Sequence, residues 1–290
     1  MQATKLSSKA LLVKLTIKRA ALTRKDQALT DQIQAQQNDQ SLTVLTKLFR
    51  DKHGPVYQVM QKVSEVYGYH KDNTLPWVDS GPRLLPSAQY MDYTAEMRHR
   101  IAVVDNMLNQ WMPQYDMLVD ADIKYRNGGQ LTGRASVDDY PTASEFRQRM
   151  SFDLRFQPMP DQSHFLFDLS EDDTKAFDDA IHEAARLAKA DAIGRMLDPL
   201  KHLVKKLSAP IDTDGSIFRD SAIENIVEGC KAARRLMLED TPELKAEIDQ
   251  LENMATSYVF GADSLRNSPD TREAAAKRLA EVADKMAAFF

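Results

Sequence analysis

The chain has 290 residues, 43% hydrophobic and 28% charged, with 38 Lys and Arg against 43 Asp and Glu for a formal net charge of −5. That length supports a real core in one or two domains, and 10 Gly with 12 Pro exclude collagen-like and low-complexity chains. One cysteine, Cys230, excludes an internal disulfide and a cysteine-cluster metal site. No apolar run reaches the ~18 residues of a membrane span. The first twenty residues lack the apolar core and cleavage site of a secretory signal. The expectation is a non-membrane protein of a reducing cytoplasm.

In chain order, residues 11–18 (LLVKLTIK) alternate, with Val13, Leu15 and Ile17 opposite Lys14, Thr16 and Lys18. This predicts a half-buried strand with a basic outer face. Residues 26–50 are polar and Gln-rich, with Leu42, Leu45 and Leu48 or Phe49 at helical spacing. Pro55 suits a first helical turn, and Val56, Val59, Met60, Val63 and Val66 then share one face. Residues 71–89 hold three prolines and a glycine and read as an ordered loop. A helical pattern from Ser87 to about Lys124 is expected to bend or break at Pro113. Thr142 and Glu145 make a capping box for a short helix ending near Met150. Residues 151–157 and 164–170 both alternate around a PMPDQS turn, which predicts a β-hairpin able to complete a small sheet with 11–18.

From Ser170 onward the pattern is helical. Ser170 and Asp173 cap a helix whose stripe is Phe177, Ile181, Ala184, Ala188, Ala192, Met196, Leu200, Leu203 and Leu207. The spacing persists across Pro199, so a kinked helix of ~35 residues and ~50 Å is expected. Further helices fall at about 217–238, 242–260 and 270–288. The expected fold class is α+β, mainly helical. A domain of residues 1–169 packs a small antiparallel sheet on helices, and an acidic helical bundle, 170–290, follows.

Net charge describes neither half of the chain. Residues 1–160 hold 21 cations and 17 acids, whereas 161–290 hold 17 and 26. Lys5, Lys9, Lys14, Lys18, Arg19, Arg24 and Lys25 precede the first acid, Asp26. Such a run serves either as a solvated strand edge that discourages sheet pairing or as a phosphate-contacting stripe. Eight of nine tyrosines and both tryptophans fall between residues 57 and 140. These side chains suit stacking on unpaired bases as well as core packing. Tyr67 and Tyr69, beside Gly, His, Lys and Asp, read as exposed.

Other motifs give little chemistry. Gly128 and Gly133 have the spacing of a phosphate-binding loop, but Arg134 and Ala135 replace the lysine and hydroxyl that loop needs. No strand pattern precedes them and no helix pattern follows. Lys124, Arg126 and Arg134 in this region could still touch a phosphate backbone. The six histidines are scattered, the acidic pairs sit at caps and turns, and no nucleophile motif is legible. No catalytic residue, metal ligand or cofactor is expected, and the chain is read as a non-enzyme.

The stretch 74–93 (TLPWVDSGPRLLPSAQYMDY) carries Leu75, Pro76, Trp77, Asp79, Gly81, Arg83, Leu84, Leu85, Pro86, Tyr90 and Tyr93. With residues 139–160 (DYPTASEFRQRMSFDLRFQPMP) it resembles a family of phage and plasmid proteins built on an LPW-x-D-x-G-x-RLLP-x3-Y-x2-Y core. That resemblance covers about residues 5–170. In size and organisation the chain is also similar to the Drc-type single-stranded DNA-binding cofactors of short-tailed phages. The likeness implies single-strand binding and recruitment of a phage RNA polymerase in the cytoplasm of an infected bacterium, through a fold unlike the five-stranded barrel. It transfers no site residue.

The leading expectation is therefore a non-sequence-specific single-stranded DNA-binding protein of a bacteriophage, acting in early transcription or in replication. Lys14, Lys18, Arg19, Arg24 and Lys25 are the candidate phosphate contacts, supported by Lys9 and Arg126. Tyr67, Tyr69 and Trp77 are the candidate stacking residues, although Trp77 also suits a core anchor for its loop. The C-terminal helices, ending in Phe289 and Phe290, suit homo-oligomerisation. The alternative is a non-enzymatic adaptor or structural protein that partners a phage or plasmid ATPase.

Overall fold

The computed structural model describes residues 6–78, 81–130, 133–159, 170–210, 217, 219–238, 241–260 and 262–289. The elements begin with β1 (Ala10–Lys18), β2 (Thr23–Lys25), α1 (Gln27–Gln37), β3 (Leu45–Lys47), α2 (Pro55–Asp72), β4 (Leu75–Pro76) and β5 (Arg83–Pro86). Then come α3 (Tyr90–Trp111), α4 (Tyr115–Arg126), α5 (Ala143–Gln148) and β6 (Ser151–Pro158). The chain continues through α6 (Glu171–Ser208), α7 (Ser221–Leu236), α8 (Pro242–Phe260), α9 (Ala262–Asn267) and α10 (Pro269–Ala287). This is a mainly helical α+β architecture with a four-stranded antiparallel sheet, order β4-β5-β1-β6, and a separate β2-β3 pair. No helix among the described residues is long and apolar enough to cross a membrane.

The periodic signals are realised. In β1, Lys14, Thr16 and Lys18 are exposed while Leu15 and Ile17 are half-buried, and β6 alternates in the same way. Val56, Val59, Val63 and Val66 are buried on α2. A 3₁₀ turn at Met112–Gln114, containing Pro113, separates α3 from α4. Both hydrogen bonds of the Thr142–Glu145 capping box are present. Ser170 caps α6 by accepting from the Asp173 N–H, and the helix runs 38 residues through Pro199.

Two expectations are corrected. The 71–89 loop contributes two strands: β5 pairs antiparallel with β1 from Ala10↔Pro86 to Val13↔Arg83, and β4 pairs with β5. Pro76 and Pro86 close their strands, where a missing N–H interrupts little of the ladder. Gly81 takes φ +115 in the turn between them. Leu84 and Leu85 are both fully buried, so the short strand is covered on both faces. Nor do residues 42–49 continue a helix. Asn38, at φ +51, ends α1 with its N–H on the Gln34 carbonyl, and β3 then pairs with β2 from Thr23↔Lys47 to Lys25↔Leu45. The strand expected at 164–169 lies outside the described residues.

Two compact units are interleaved along the chain. The first comprises Met1–Lys14, Lys71–Tyr93 and Arg155–Phe290, and the second Leu15–His70 and Thr94–Leu154. Their junctions fall inside β1, α2, α3 and β6, not in linkers. Residues 170–290 thus belong to the same unit as the beginning of β1.

In the first unit α6 is the spine. Arg195, held by Asp191 at 2.7 and 2.9 Å, donates to the carbonyls of Lys71 (3.1 Å), Asp72 and Thr74 (2.7 Å) and so satisfies acceptors at the end of α2. Arg83 closes the same turn through Thr74 Oγ1 at 2.7 Å and Thr74 O at 3.0 Å. Buried Arg272 does the equivalent for α6, donating to the carbonyls of Lys206 and Leu207. Tyr90 and Tyr93 meet Phe156 edge-on, with centroids 5.1 and 6.4 Å away.

Helix α7 crosses α6 at Gly229. A β-carbon there would lie 2.7 Å from the Arg195 carbonyl oxygen and 3.0 Å from Met196 Cα, both backbone atoms. Gly229→Ala gains about 1 kcal/mol of helix propensity, but overpacking a rigid crossing costs about 1–3 kcal/mol. A net loss of up to about 2 kcal/mol is expected, measured as a lower urea midpoint at unchanged m-value.

Candidate nucleic-acid interface

The second unit is organised around a cluster of aromatic rings. Phe49 lies 5.8 Å from Tyr115, 5.2 Å from Tyr140 and 6.2 Å from Phe146, and Trp111 stacks on Tyr115 at 6.3 Å. Much of the aromatic enrichment is therefore core. Tyr93 and Tyr115 are fully buried, as Trp111 and Tyr140 nearly are.

Beside this core the chain turns sharply between β3 and α2. Phe49 adopts φ +52, a left-handed conformation that side chains with a β-carbon avoid. The carboxylate of Asp122, buried on α4, fixes the turn. Its Oδ2 accepts the Phe49 N–H at 3.0 Å and the Tyr140 hydroxyl at 2.5 Å, and its Oδ1 accepts the Arg50 N–H at 2.9 Å. Burial foremost, then the hydrogen bond to Asp122, pushes the Tyr140 phenol up to about 12, and burial raises Tyr115 as well. Asp51 tightens the next turn by accepting the His53 N–H at 2.9 Å.

The result is a cleft of about 1010 Å³ with Phe49, Pro55 and Asp122 among its lining. Lys47, Arg50 and Lys52 border it, all exposed and none ion-paired among the described residues. Tyr57 from α2 and Tyr125 from α4 border it too, 45% and 69% exposed. The Arg50 guanidinium lies 5.5 Å from the Tyr125 ring centroid, a cation–π contact. Cations and exposed rings thus share one concave surface.

The residues expected from the sequence are placed as follows. Lys9 and Lys14 are exposed in the first unit, Lys9 just before β1 and Lys14 on it, beside Gly81. Trp77, in the same unit, packs against the apolar cluster of Leu6, Leu12, Leu75 and Leu84, the anchor role. In the second unit Lys18 and Arg19 are exposed and share a shallow depression with Arg149. Arg24 ion-pairs with Asp139. Arg126 is mostly buried, 3.4 Å from the same carboxylate and 3.2 Å from the Tyr140 hydroxyl. Lys25 is exposed on β2. Tyr67 is 56% exposed on α2, whereas Tyr69 is half-buried with the Arg100 guanidinium 4.6 Å above its ring.

Both described ends of the glycine-containing segment after α4 are tied down. Asn127 bonds both backbone groups of Ala135, at 2.9 and 2.8 Å, and Arg134 pairs with Asp26 at 2.6 Å. The Leu29 N–H, and then Arg134, hold the Asp26 carboxyl below the usual carboxylate range. The helical spacing of Leu42, Leu45 and Leu48 hides the cleft residues at the level of sequence, because 42–49 forms no helix. A usable signal existed: Tyr57 lies off the Val56, Val59, Val63, Val66 stripe, and three cations precede it within 47–52.

Asp122→Ala strands two backbone N–H groups and a phenol, each unsatisfied group costing about 1–3 kcal/mol. A loss of about 3 kcal/mol or more is expected in chemical denaturation, with altered near-ultraviolet dichroism from the aromatic cluster. The raised phenol of Tyr140 adds a pH dependence. Its contribution is intact below the ordinary phenol value near 10 and is lost as pH climbs toward about 12. Tyr140→Phe should flatten that alkaline decline while lowering stability at pH 7 by about 1 kcal/mol. Comparison of the chain with protein-family models, with curated proteins and with solved structures finds no match.

Proposed function

We propose that this chain binds single-stranded nucleic acid, foremost single-stranded DNA without sequence preference, in the cleft between β3, α2 and α4. What carries the reading is the joint presence of Lys47, Arg50 and Lys52 with the exposed rings of Tyr57 and Tyr125 around a turn held in place by Asp122. Cations that neutralise phosphates supply salt-dependent affinity. Exposed rings add about 1–3 kcal/mol per stacked base with little base preference. A pre-set turn lowers the ordering cost of binding. Lys18, Arg19 and Lys25, exposed in the same unit, supply further phosphate contacts.

The chain acts by binding, not by chemistry. Its one thiol, Cys230, is buried, and burial foremost pushes it up to about 12, the opposite of an activated nucleophile. Recruitment of an RNA polymerase to the coated strand, a role in replication, action in an infected bacterial cytoplasm and self-association through the C-terminal helices extend the same proposal. The second reading, the protein adaptor for an ATPase, requires an apolar docking face, and Leu45, Met117 and Val137 are the exposed large apolar side chains this unit offers outside the cleft and its tyrosines.

Fluorescence anisotropy with short oligonucleotides separates the two. Tyr57→Ala and Tyr125→Ala should each weaken single-strand binding by about 5- to 150-fold. Lys47→Glu with Lys52→Glu should weaken it further and reduce the salt slope by about 1.4. Unchanged affinity in all of these variants removes the cleft as the site, and capture of a protein partner with no oligonucleotide binding favours the adaptor.

A further inference from the structure

The first unit contains a cavity of about 170 Å³ among α6, α7 and the start of α8. Ile193, Met196 and Ile248 form its bottom, each no more than 1% exposed. Half-buried Ala185 and Leu238 mark its mouth. The space exists because Ala188 and Ala192 on α6, and Ala233 on α7, stop short of one another. Natural cores seldom leave a void larger than a water molecule. This lining offers water few hydrogen-bond partners, so an apolar chain entering from the mouth displaces only weakly held water.

The mouth is cationic. Arg186 and Lys189 stand one turn apart on α6 and both border it. Arg186 is held bidentately by Glu183, at 2.7 and 2.8 Å, whereas Lys189 has no ion pair among the described residues. The lining residues Ala185, Ala188, Ala192 and Met196 follow one another along ~16 Å of helix, so the apolar surface is elongated. An elongated apolar interior with one unneutralised cation at its entrance complements an amphiphile with a single negative head.

We infer that the cavity binds a medium-chain aliphatic carboxylate, its alkyl chain along the α6 alanines and its carboxylate at Lys189. The lining comes from the first unit alone, so the site is separate from the nucleic-acid cleft.

Calorimetric titration and thermal unfolding of the full chain with octanoate, 1-octanol and octylamine test this. The expected result is saturable, one-to-one octanoate binding at least tenfold tighter than octylamine, with Tm rising as octanoate is added. Ala192→Leu, which fills the space, should abolish binding. Should that variant fail to fold, Lys189→Glu, at an exposed position, should weaken octanoate at least tenfold and leave octanol unchanged. Absence of saturable octanoate binding overturns the inference. So does binding that survives Ala192→Leu in folded protein, equal affinity for octanoate and octylamine, or indifference to Lys189→Glu. Oligonucleotide affinity, measured in parallel, should be the same in both variants.

Discussion

Three donors converge on the carboxylate of Asp122 in the second unit: the N–H groups of Phe49 and Arg50, and the hydroxyl of Tyr140. A buried carboxylate without partners is costly, and a left-handed Phe49 costs about 1–2 kcal/mol on its own. Hydrogen bonds to a charged acceptor contribute about 1.5–3 kcal/mol each, so the network outweighs the strain it maintains. The geometry also has a direction. With their N–H groups committed inward, Phe49 sends its ring into the aromatic core while Arg50 is left exposed at the cleft. One buried acid thereby sets both the hydrophobic floor and the cationic rim.

The allocation of cations follows a similar logic. Arg24 and Arg126 share Asp139, and Arg134 takes Asp26, so three of the cations that make the first half of the chain look basic are spent on neighbouring acids. The two pairs whose arginine is exposed, Arg24–Asp139 and Arg134–Asp26, add only about 0–1 kcal/mol each, yet all three lower the charge available to a ligand. Counted by compact unit, the second holds 15 cations and 14 acids and the first 23 and 29. Lys47, Arg50 and Lys52 differ from those three arginines in having no ion pair among the described residues and in lying beside Tyr57 and Tyr125, in a unit that is close to neutral.

Where burial follows a fixed period, the fold was legible in the sequence. The alternation of β1 and β6, the valine stripe of α2, the break at Pro113 and the long stripe of α6 all carried through. Two signals misled. Three prolines in 71–89 argued against strands, but a strand of two or four residues can end on proline without breaking its ladder. The spacing of Leu42, Leu45 and Leu48 mimicked a helix across a segment that Asn38 had already terminated. The unit boundaries carried no signal, because the chain leaves each unit inside β1, α2, α3 and β6, with no flexible linker to shift composition. Candidate cations and rings could be nominated from charge and aromaticity. Whether each was paired, packed or free depended on acids and apolar residues distant in sequence, as with Arg126 and Asp139 or Trp77 and Leu6.

Helix α6 shows what a binary pattern leaves open. Its apolar stripe runs unbroken from Ile181 to Leu207, and every position described is buried. Beyond Met196 the stripe is leucine, which fills the space against α7 and α10 in one continuous apolar cluster. Before Met196 it is alanine at 184, 188 and 192, and alanine removes the same position from water while filling much less volume. Close approach of the neighbouring backbone is one outcome of a small residue, and Gly229 on α7 gives it against Arg195 and Met196. An open cavity is the other, and Ala188 and Ala192 line one. Hydrophobic periodicity sets which face turns inward; side-chain volume along that face decides whether the interior closes or leaves room for a guest.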